Sequence, residues 1–319
     1  MAIICTDQDF LEGARKFRSE ILFAPVKSLM ETLAKIATFR SDVRYEEKVF
    51  SMDADLEFGN YNASRTADLD VTVNSRVLKT YFASARREFD PNEYVHTIFS
   101  DPITKGEGLT GVQVARIVLN ILSGKLGDNL RKKIFSAAHT DAGTDSATLF
   151  GGWETVTSKE ITGGGIAAGK GNYHEFTEAI TATNAVDMIK EFVRAADDYL
   201  IDKPEVNLIM PYGIYYKYLD DYKSTTGAIP YNREYKQYYV EGFENVKLVP
   251  MGEKKGSNYL HLSTKDNMLV GFGRNGEEGS LVVEKHDVVK LTYFATMFFG
   301  VDFLSIGKDR LMVGKLKTA

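Results

Sequence analysis

Cysteine, tryptophan and histidine are scarce in this chain of 319 residues: one Cys (Cys5), one Trp (Trp153) and five His. A lone cysteine excludes an intrachain disulfide, and without a His or Asn near Cys5 in sequence the pattern of a cysteine nucleophile is missing. The polar residues Asp7, Gln8 and Asp9 follow a short apolar start, so no secretory signal is read there and an intracellular setting is expected. The longest apolar stretch, residues 293–301, is too short to cross a bilayer. Basic excess is lacking too. With 39 Lys and Arg against 44 Asp and Glu the net charge is −5, the wrong sign for a charge-driven grip on nucleic acid. No repeat of fixed period is visible. What is present is ordinary for a globular protein, 44% hydrophobic and 26% charged, long enough for about two domains at roughly 150 residues each. The excesses are in glycine (27), phenylalanine (19) and tyrosine (17).

Apolar residues at mixed spacings of three and four over residues 7–39, from Phe10 to Ile36, predict one or two short helices docked on something else, broken at Pro25. Residues 41–70 turn polar and acidic, with Gly59-Asn60 and further Asn and Ser turn formers, and read as an extended loop or a two-stranded excursion. Alternation from Leu69 to Phe82 predicts a strand or a strand-to-helix transition. Residues 112–138 carry Val114, Ile117, Val118, Ile121, Leu122, Leu126, Leu130 and Ile134 at helical period, the longest helix signal in the chain. Gly124 and Gly127 predict a kink or a break within it.

The glycine-rich run at residues 163–171 reads as a mobile loop, as does 271–279. Thr183-Asn184 caps an expected helix over 185–200, followed by a strand at 206–210 and a helix at 214–222. Strands are expected at 246–249, 259–262, 269–272, 281–283, 288–297 and 301–306.

Each candidate for chemistry is incomplete. Gly164 to Lys170 has the spacing of a phosphate-binding loop, but Gly171 stands where Ser or Thr should hold magnesium, and no buried strand leads in. His139, Asp141 and Asp145 could ligate a cation, but they sit on one unsupported loop with no second His and no Cys, and a capped helix end with Asx turns explains them. His174-Glu175 does not extend to a zinc-protease motif, since Glu178 stands where a His is required. Glu284 and His286 share a strand face without a nucleophile elbow anywhere, which favours a polar cross-strand pair. No cofactor or metal is expected. Nine tyrosines crowd residues 212–239, a composition that suits either a subunit interface or the rim of a helix packed on a sheet.

The order of these features resembles the major capsid proteins of tailed bacteriophages, the α+β Hong Kong 97 fold that encapsulin shells share. The resemblance implies an N-terminal arm (1–40), an extended loop (41–75) reaching over a neighbouring subunit, a peripheral domain (76–150 and 281–319) with its spine helix at 112–138, and an axial domain (151–280). It further implies a non-enzymatic shell protein that assembles as pentamers and hexamers in the host cytoplasm and ends in the virion. Inter-subunit contacts then fall to Asp53, Asp55, Glu57, Tyr61 and Arg65 in the loop and to Tyr231, Tyr235 and Tyr238 in the tyrosine-dense segment. Implied partners are further copies of the chain, separate scaffolding, portal and decoration proteins, and DNA held only by weak non-specific contact, with no membrane. Residues 51–70 contain no Lys, so assembly without an isopeptide weld is expected, and no long acidic or coiled-coil leader is read. The alternatives are an encapsulin-type compartment and, from another class, a nucleotide-dependent enzyme using the loop at Lys170.

Overall fold

The computed structural model describes residues 6–54, 71–90, 110–226, 239–273, 281–286 and 290–317. Helix α1 (Asp7–Lys16) opens on a capping box: Thr6 Oγ1 accepts from the Asp9 amide, and the Asp9 carboxylate accepts from the Thr6 amide at 2.7 Å. Helix α2 (Arg18–Leu33) follows, and β1 (Thr38–Arg40) leads to a hairpin of β2 (Glu46–Ala54) and β3 (Val71–Lys79). After Thr80 comes β4 (Tyr81–Phe89), then the long helix α3 (Gly111–Lys133), whose last turn carries Arg131, Lys132 and Lys133 against the negative end of its dipole. Helix α4 (Trp153–Thr162), β5 (Tyr173–Glu175), α5 (Ala185–Arg194) and α6 (Asp198–Ile201) precede β6 (Val206–Pro211) and α7 (Tyr212–Thr226). Six strands follow among the described residues: β7 (Val246–Met251), β8 (Tyr259–Ser263), β9 (Met268–Phe272), β10 (Leu281–Lys285), β11 (Leu291–Phe303) and β12 (Leu311–Lys315).

Two five-stranded sheets organise the fold. In one, β11 is the backbone: β9 and β10 lie end to end along one side, β4 covers the other from Tyr81↔Phe299 to Phe89↔Leu291, and β1 adds in parallel to β9. The other has the order β5-β12-β8-β6-β7. Its strand β6, between β8 and β7, is buried on both faces, and the period of two sorts its side chains: Val206, Leu208 and Met210 face the core under α5 and α7, whereas Ile209 faces the core shared with the first sheet. That shared core, with Phe135, Phe150, Trp153, Phe299 and Phe303, welds the sheets together. A third core joins α1, α2 and α3 to β4, β10 and β11 through Phe10, Ile21, Val114, Val118, Val283 and Leu291.

Several expectations are corrected here. Pro25 does not break α2, because Ile21, Leu22, Val26 and Leu29 around it are buried and hold the turns together. Helix α3 runs through Gly124 and Gly127 without interruption. At Gly127 a Cβ would stand 2.4 Å from the Pro25 carbonyl oxygen, so this glycine lets α2 cross α3 at backbone distance. The expected helix over 185–200 is two: Asp197 accepts from the Tyr199 amide at 3.0 Å and starts α6 afresh. The strands expected at 288–297 and 301–306 are the single β11, and α4, β1, β5 and β12 have no counterpart among the expected elements. The 163–171 loop is tied down by Asn172, which donates to the carbonyls of Gly165 (3.1 Å) and Ile306 (2.7 Å) and accepts from the Ala167 amide (3.0 Å). Gly271 is a buried residue of β9 rather than part of a loop.

The cap of α5 is tertiary. Asn184 stands at the N-cap, but its side chain accepts from the Thr181 amide, and Asp221 of α7, itself buried, accepts from the Val186 amide at 2.7 Å instead. Asp221→Ala should therefore lower stability by about 1–2 kcal/mol, the range for a lost cap. Urea midpoints test this, and a variant as stable as the parent would show that the α5 N-terminus finds another acceptor.

Candidate functional site

The β2–β3 hairpin is a two-stranded sheet of its own, paired from Glu46↔Lys79 to Ala54↔Val71. The excursion read over residues 41–70 supplies β2 alone; its partner β3 is the strand read from Leu69 onward, and residues 55–70 lie outside the described residues. Asp53 lies in β2 opposite Thr72, while Asp55, Glu57, Tyr61 and Arg65 lie outside the described residues. Where the hairpin leaves the body, large apolar side chains face solvent: Tyr45 is 64% exposed, Phe82 56% and Phe50 58%. Tyr45 and Phe82 each pack a ring on Phe298 at 4.9 Å, so three aromatics form one surface cluster at the hairpin root. Exposed apolar clusters of this kind mark surfaces meant to be covered.

A second aromatic surface lies on the first turns of α7, where Tyr212, Tyr215 and Tyr216 have ring centroids 5.8–6.5 Å apart and Tyr212 and Tyr216 are largely exposed. Tyr218, in contrast, is buried, and its hydroxyl accepts from the Glu241 amide at 3.0 Å; burial pushes the phenol up to about 12. Tyrosines of the 212–239 segment thus divide between a core anchor and a surface patch, while Tyr231, Tyr235 and Tyr238 lie outside the described residues.

The sequence candidates for chemistry resolve into structural roles. His139 Nδ1 bonds the Leu149 carbonyl oxygen at 2.8 Å, Nε2 meets Asp141 at 3.1 Å, and its ring stacks on Tyr81 at 3.8 Å, while Asp145 holds Thr148 in a turn. Among the described residues no three His, Cys, Asp or Glu come together as a metal site. His174 packs edge-on against Phe176 at 5.0 Å, and His286 meets Glu88 of β4 at 3.3 Å. The loop at Lys170 is entered from helix α4, ends in the 3-10 turn Ala168–Lys170 and leads to strand β5, whereas a phosphate-binding loop needs a strand before it and a full helix after it.

Sequence reasoning missed the principal polar network. Lys254, fully buried in the turn after β7, donates to Glu154 Oε1 of α4 at 2.8 Å and to His261 Nδ1 of β8 at 3.0 Å, with its ammonium 4.6 Å from the Phe135 ring centre. With Nδ1 accepting, the imidazole proton sits on Nε2 and donates to Thr157 Oγ1 at 2.9 Å. The Thr157 hydroxyl in turn donates to the Trp153 carbonyl oxygen at 2.7 Å. Ser257 completes the shell around Glu154. Burial pushes Lys254 down to about 8 against the pull of Glu154, and burial together with the Lys254 charge holds His261 well below its ordinary range. The His in Tyr259-Leu-His-Leu was the only signal available, an inward position occupied by an imidazole; Lys254 carried none. With the ammonium fully buried and both ends of the chain of bonds closed by protein groups, the network joins α4 to β8 rather than offering a reactive amine.

The chain has the Hong Kong 97 fold, with helices and sheets in α+β arrangement. It is similar to a chain of the satellite phage P4 procapsid that includes the size determination protein, with a TM-score of 0.55 at 9% identity over 91% of this chain and 90% of that one. It is likewise similar to the capsid of Myoviridae phage XM1, with a TM-score of 0.53 at 11% identity over 91% and 92% of the two chains. The capsid of a native GTA particle aligns with a TM-score of 0.51 at 11% identity over 91% of each chain. No family model and no curated protein matches the sequence.

Proposed function

We propose that this chain is the major subunit of a tailed-phage or prophage capsid, assembling with copies of itself as pentamers and hexamers of an icosahedral shell that encloses DNA and becomes part of the virion. The observation that carries the reading is the extent of the likeness: phage-capsid structures align along about nine-tenths of both chains rather than over one motif. A shell subunit needs broad self-complementary surfaces and a projecting arm, and the separate hairpin with aromatics at its root supplies both features.

In this reading residues 41–75 form the loop that overlaps a neighbour, with Asp53, Asp55, Glu57, Tyr61 and Arg65 among its contacts. Residues 76–150 and 281–319, with helix α3, form the peripheral domain, and residues 151–280 the axial domain, where Tyr231, Tyr235 and Tyr238 join the α7 tyrosines in subunit contacts. Net charge of −5 suits a wall that confines DNA without gripping it. Scaffolding, portal and decoration proteins are separate partners, and assembly takes place in the host cytoplasm. No step of this role calls for catalysis.

Expression of the full chain followed by negative-stain microscopy tests the proposal. Closed particles are expected, and a strictly monomeric protein at high concentration would overturn it. Particles filled with a protein cargo rather than nucleic acid would move the assignment to an encapsulin-type compartment. Deleting residues 53–66 should leave a folded subunit, judged by circular dichroism, that forms no closed particles. Intact shells from that deletion would refute the role given to the loop.

A further inference from the structure

The hairpin is attached to the body in two unlike ways. At its root the chain passes through Asp42 (φ 68°) and Tyr45 (φ 62°), the only non-glycine residues among those described in the left-handed region, where β-carbon crowding makes the backbone strained. The returning strand is joined to β4 by the single residue Thr80, whose amide donates to the Tyr45 carbonyl oxygen at 2.7 Å and whose hydroxyl donates to that of Val43 at 3.2 Å. Val43, Val49, Leu78 and Leu269 form a small apolar cluster around this joint. About 13 Å from Thr80 along β3, at roughly 3.3 Å per residue, stands Arg76.

Its guanidinium spans to two separate elements. Nη1 donates to Glu160 of α4 at 2.9 Å, Nη2 to Asp302 of β11 at 2.9 Å, and Nε to the Phe303 carbonyl oxygen at 3.2 Å. These ion pairs bridge a cleft of about 510 Å³ lined by the hairpin, α4 and β11. Unlike Lys254, all three charged groups keep part of their surface in water, 15–26% of each side chain. Water in the cleft can therefore replace the pairs when they part, at far lower cost than for a fully buried charge.

We propose that Arg76 is a releasable pin that fixes the angle of the β2–β3 hairpin against the body, and that the strained joint at Tyr45 and Thr80 is the hinge on which the hairpin turns as a unit once the pin is withdrawn. The division of labour follows from the contacts: the joint holds the two strands through two hydrogen bonds and a small apolar cluster, whose non-directional contacts resist separation more than rotation. The planar fork, anchored to a helix and a strand at once, resists rotation. The inference stands on the chain's own contacts and does not depend on shell formation.

Spin-label distances test it. In the full chain with Cys5→Ser, nitroxides at Lys48→Cys on β2 and Ser158→Cys on α4, diluted with unlabelled protein, report the hairpin-to-body distance. A second pair at Lys48→Cys and Ser75→Cys reports the hairpin itself. The parent should give one narrow distribution for each pair. Arg76→Met should broaden the first distribution at least twofold or add a second peak while leaving the second pair unchanged, and Arg76→Lys should fall between. A hairpin-to-body distribution in Arg76→Met that superimposes on the parent's overturns the proposal, as does broadening of both pairs, which would mean that the hairpin melts instead of turning. Should Arg76→Met fail to fold, Glu160→Gln removes one prong only, and the same two outcomes apply to it.

Discussion

Replacing Gly300 by alanine should destabilise the protein by about 3 kcal/mol or more, the upper part of the range for forcing an extra group into a packed interior. A Cβ there would stand 1.9 Å from the Lys79 carbonyl oxygen and 3.0 Å from the Thr80 Cα. Neither can withdraw. Thr80 is bound through its amide and hydroxyl to Tyr45 and Val43, and one residue later Tyr81 is in register with Phe299 of the same strand that carries Gly300. With total stabilities of about 5–15 kcal/mol, such a loss raises the unfolded fraction roughly a hundredfold, visible as a lower yield of soluble protein in the cell. Gly124→Ala is the contrasting control. Its Cβ meets nothing within 4 Å, and removing a mid-helix glycine should raise stability by about 0.5–1 kcal/mol. Urea midpoints of the two variants shifted in opposite directions are expected. An unchanged midpoint for Gly300→Ala would mean that β3 does not pass over β11 at backbone distance.

Glu154→Gln should cost about 3 kcal/mol or more, because it leaves the Lys254 ammonium buried without its counter-ion. Lys254→Met should cost less, about 1–2 kcal/mol, since it removes the buried charge itself and leaves only His261 Nδ1 without a donor and Glu154 held by Ser257 at the edge of water. The order of the two, not either value, is diagnostic. If Lys254→Met is the more damaging, the pair contributes net stability and the desolvation argument fails.

The pH dependence separates them further. Lys254 is held at about 8 in the folded protein against 10.5 unfolded, so between those values the unfolded chain binds a proton that the folded one does not. Stability from this group therefore rises with pH across that window, at up to about 1.36 kcal/mol per unit, and the rise should be missing in Lys254→Met. Tyr218, pushed up to about 12, acts in the opposite sense above pH 10, so the clean comparison lies between pH 8 and 10. His261 governs the acid side. Its folded value lies well below 6.5, so as pH falls through 6.5 the unfolded chain takes up a proton that the folded protein refuses, and stability drops. His261→Gln should flatten that limb.

Much of the fold was legible because it is local. The apolar stripe from Val114 to Leu130 specifies α3, and the polar stretch after Ser41 with alternating residues beyond Leu69 specifies an excursion and a returning strand. Helix α4 was illegible for an equally physical reason. Trp-Glu-Thr-Val-Thr-Ser-Lys-Glu-Ile-Thr is rich in β-branched residues with weak helix propensity, and what stabilises it comes from elsewhere: the Trp153 indole N–H donates to the Asp302 carbonyl oxygen at 3.1 Å, and Thr157 meets His261. Pro25 and Gly127 each look like breaks when taken alone, yet they face one another across a helix crossing, and only the crossing explains why both are there.

The candidate sites divide along the same line. Sequence could show that the local pattern of a cysteine nucleophile and the full phosphate-binding loop are missing, since those patterns need residue types at set spacings that the chain does not have. It could also locate the tyrosine excess, but not that Tyr218 is a core anchor while Tyr212 and Tyr216 face solvent. The Arg76 pin joins residues 84 and 226 positions apart along the chain, the Lys254–Glu154 pair residues 100 apart, and no local pattern encodes such separations. The sequence by itself thus determined where helices, strands and an excursion form and that histidine and cysteine chemistry is sparse, because periodicity and composition act over a few residues. Tertiary structure alone decided which glycines are indispensable, which charges are buried, and what holds the hairpin at its angle, because each depends on two distant segments arriving at the same place.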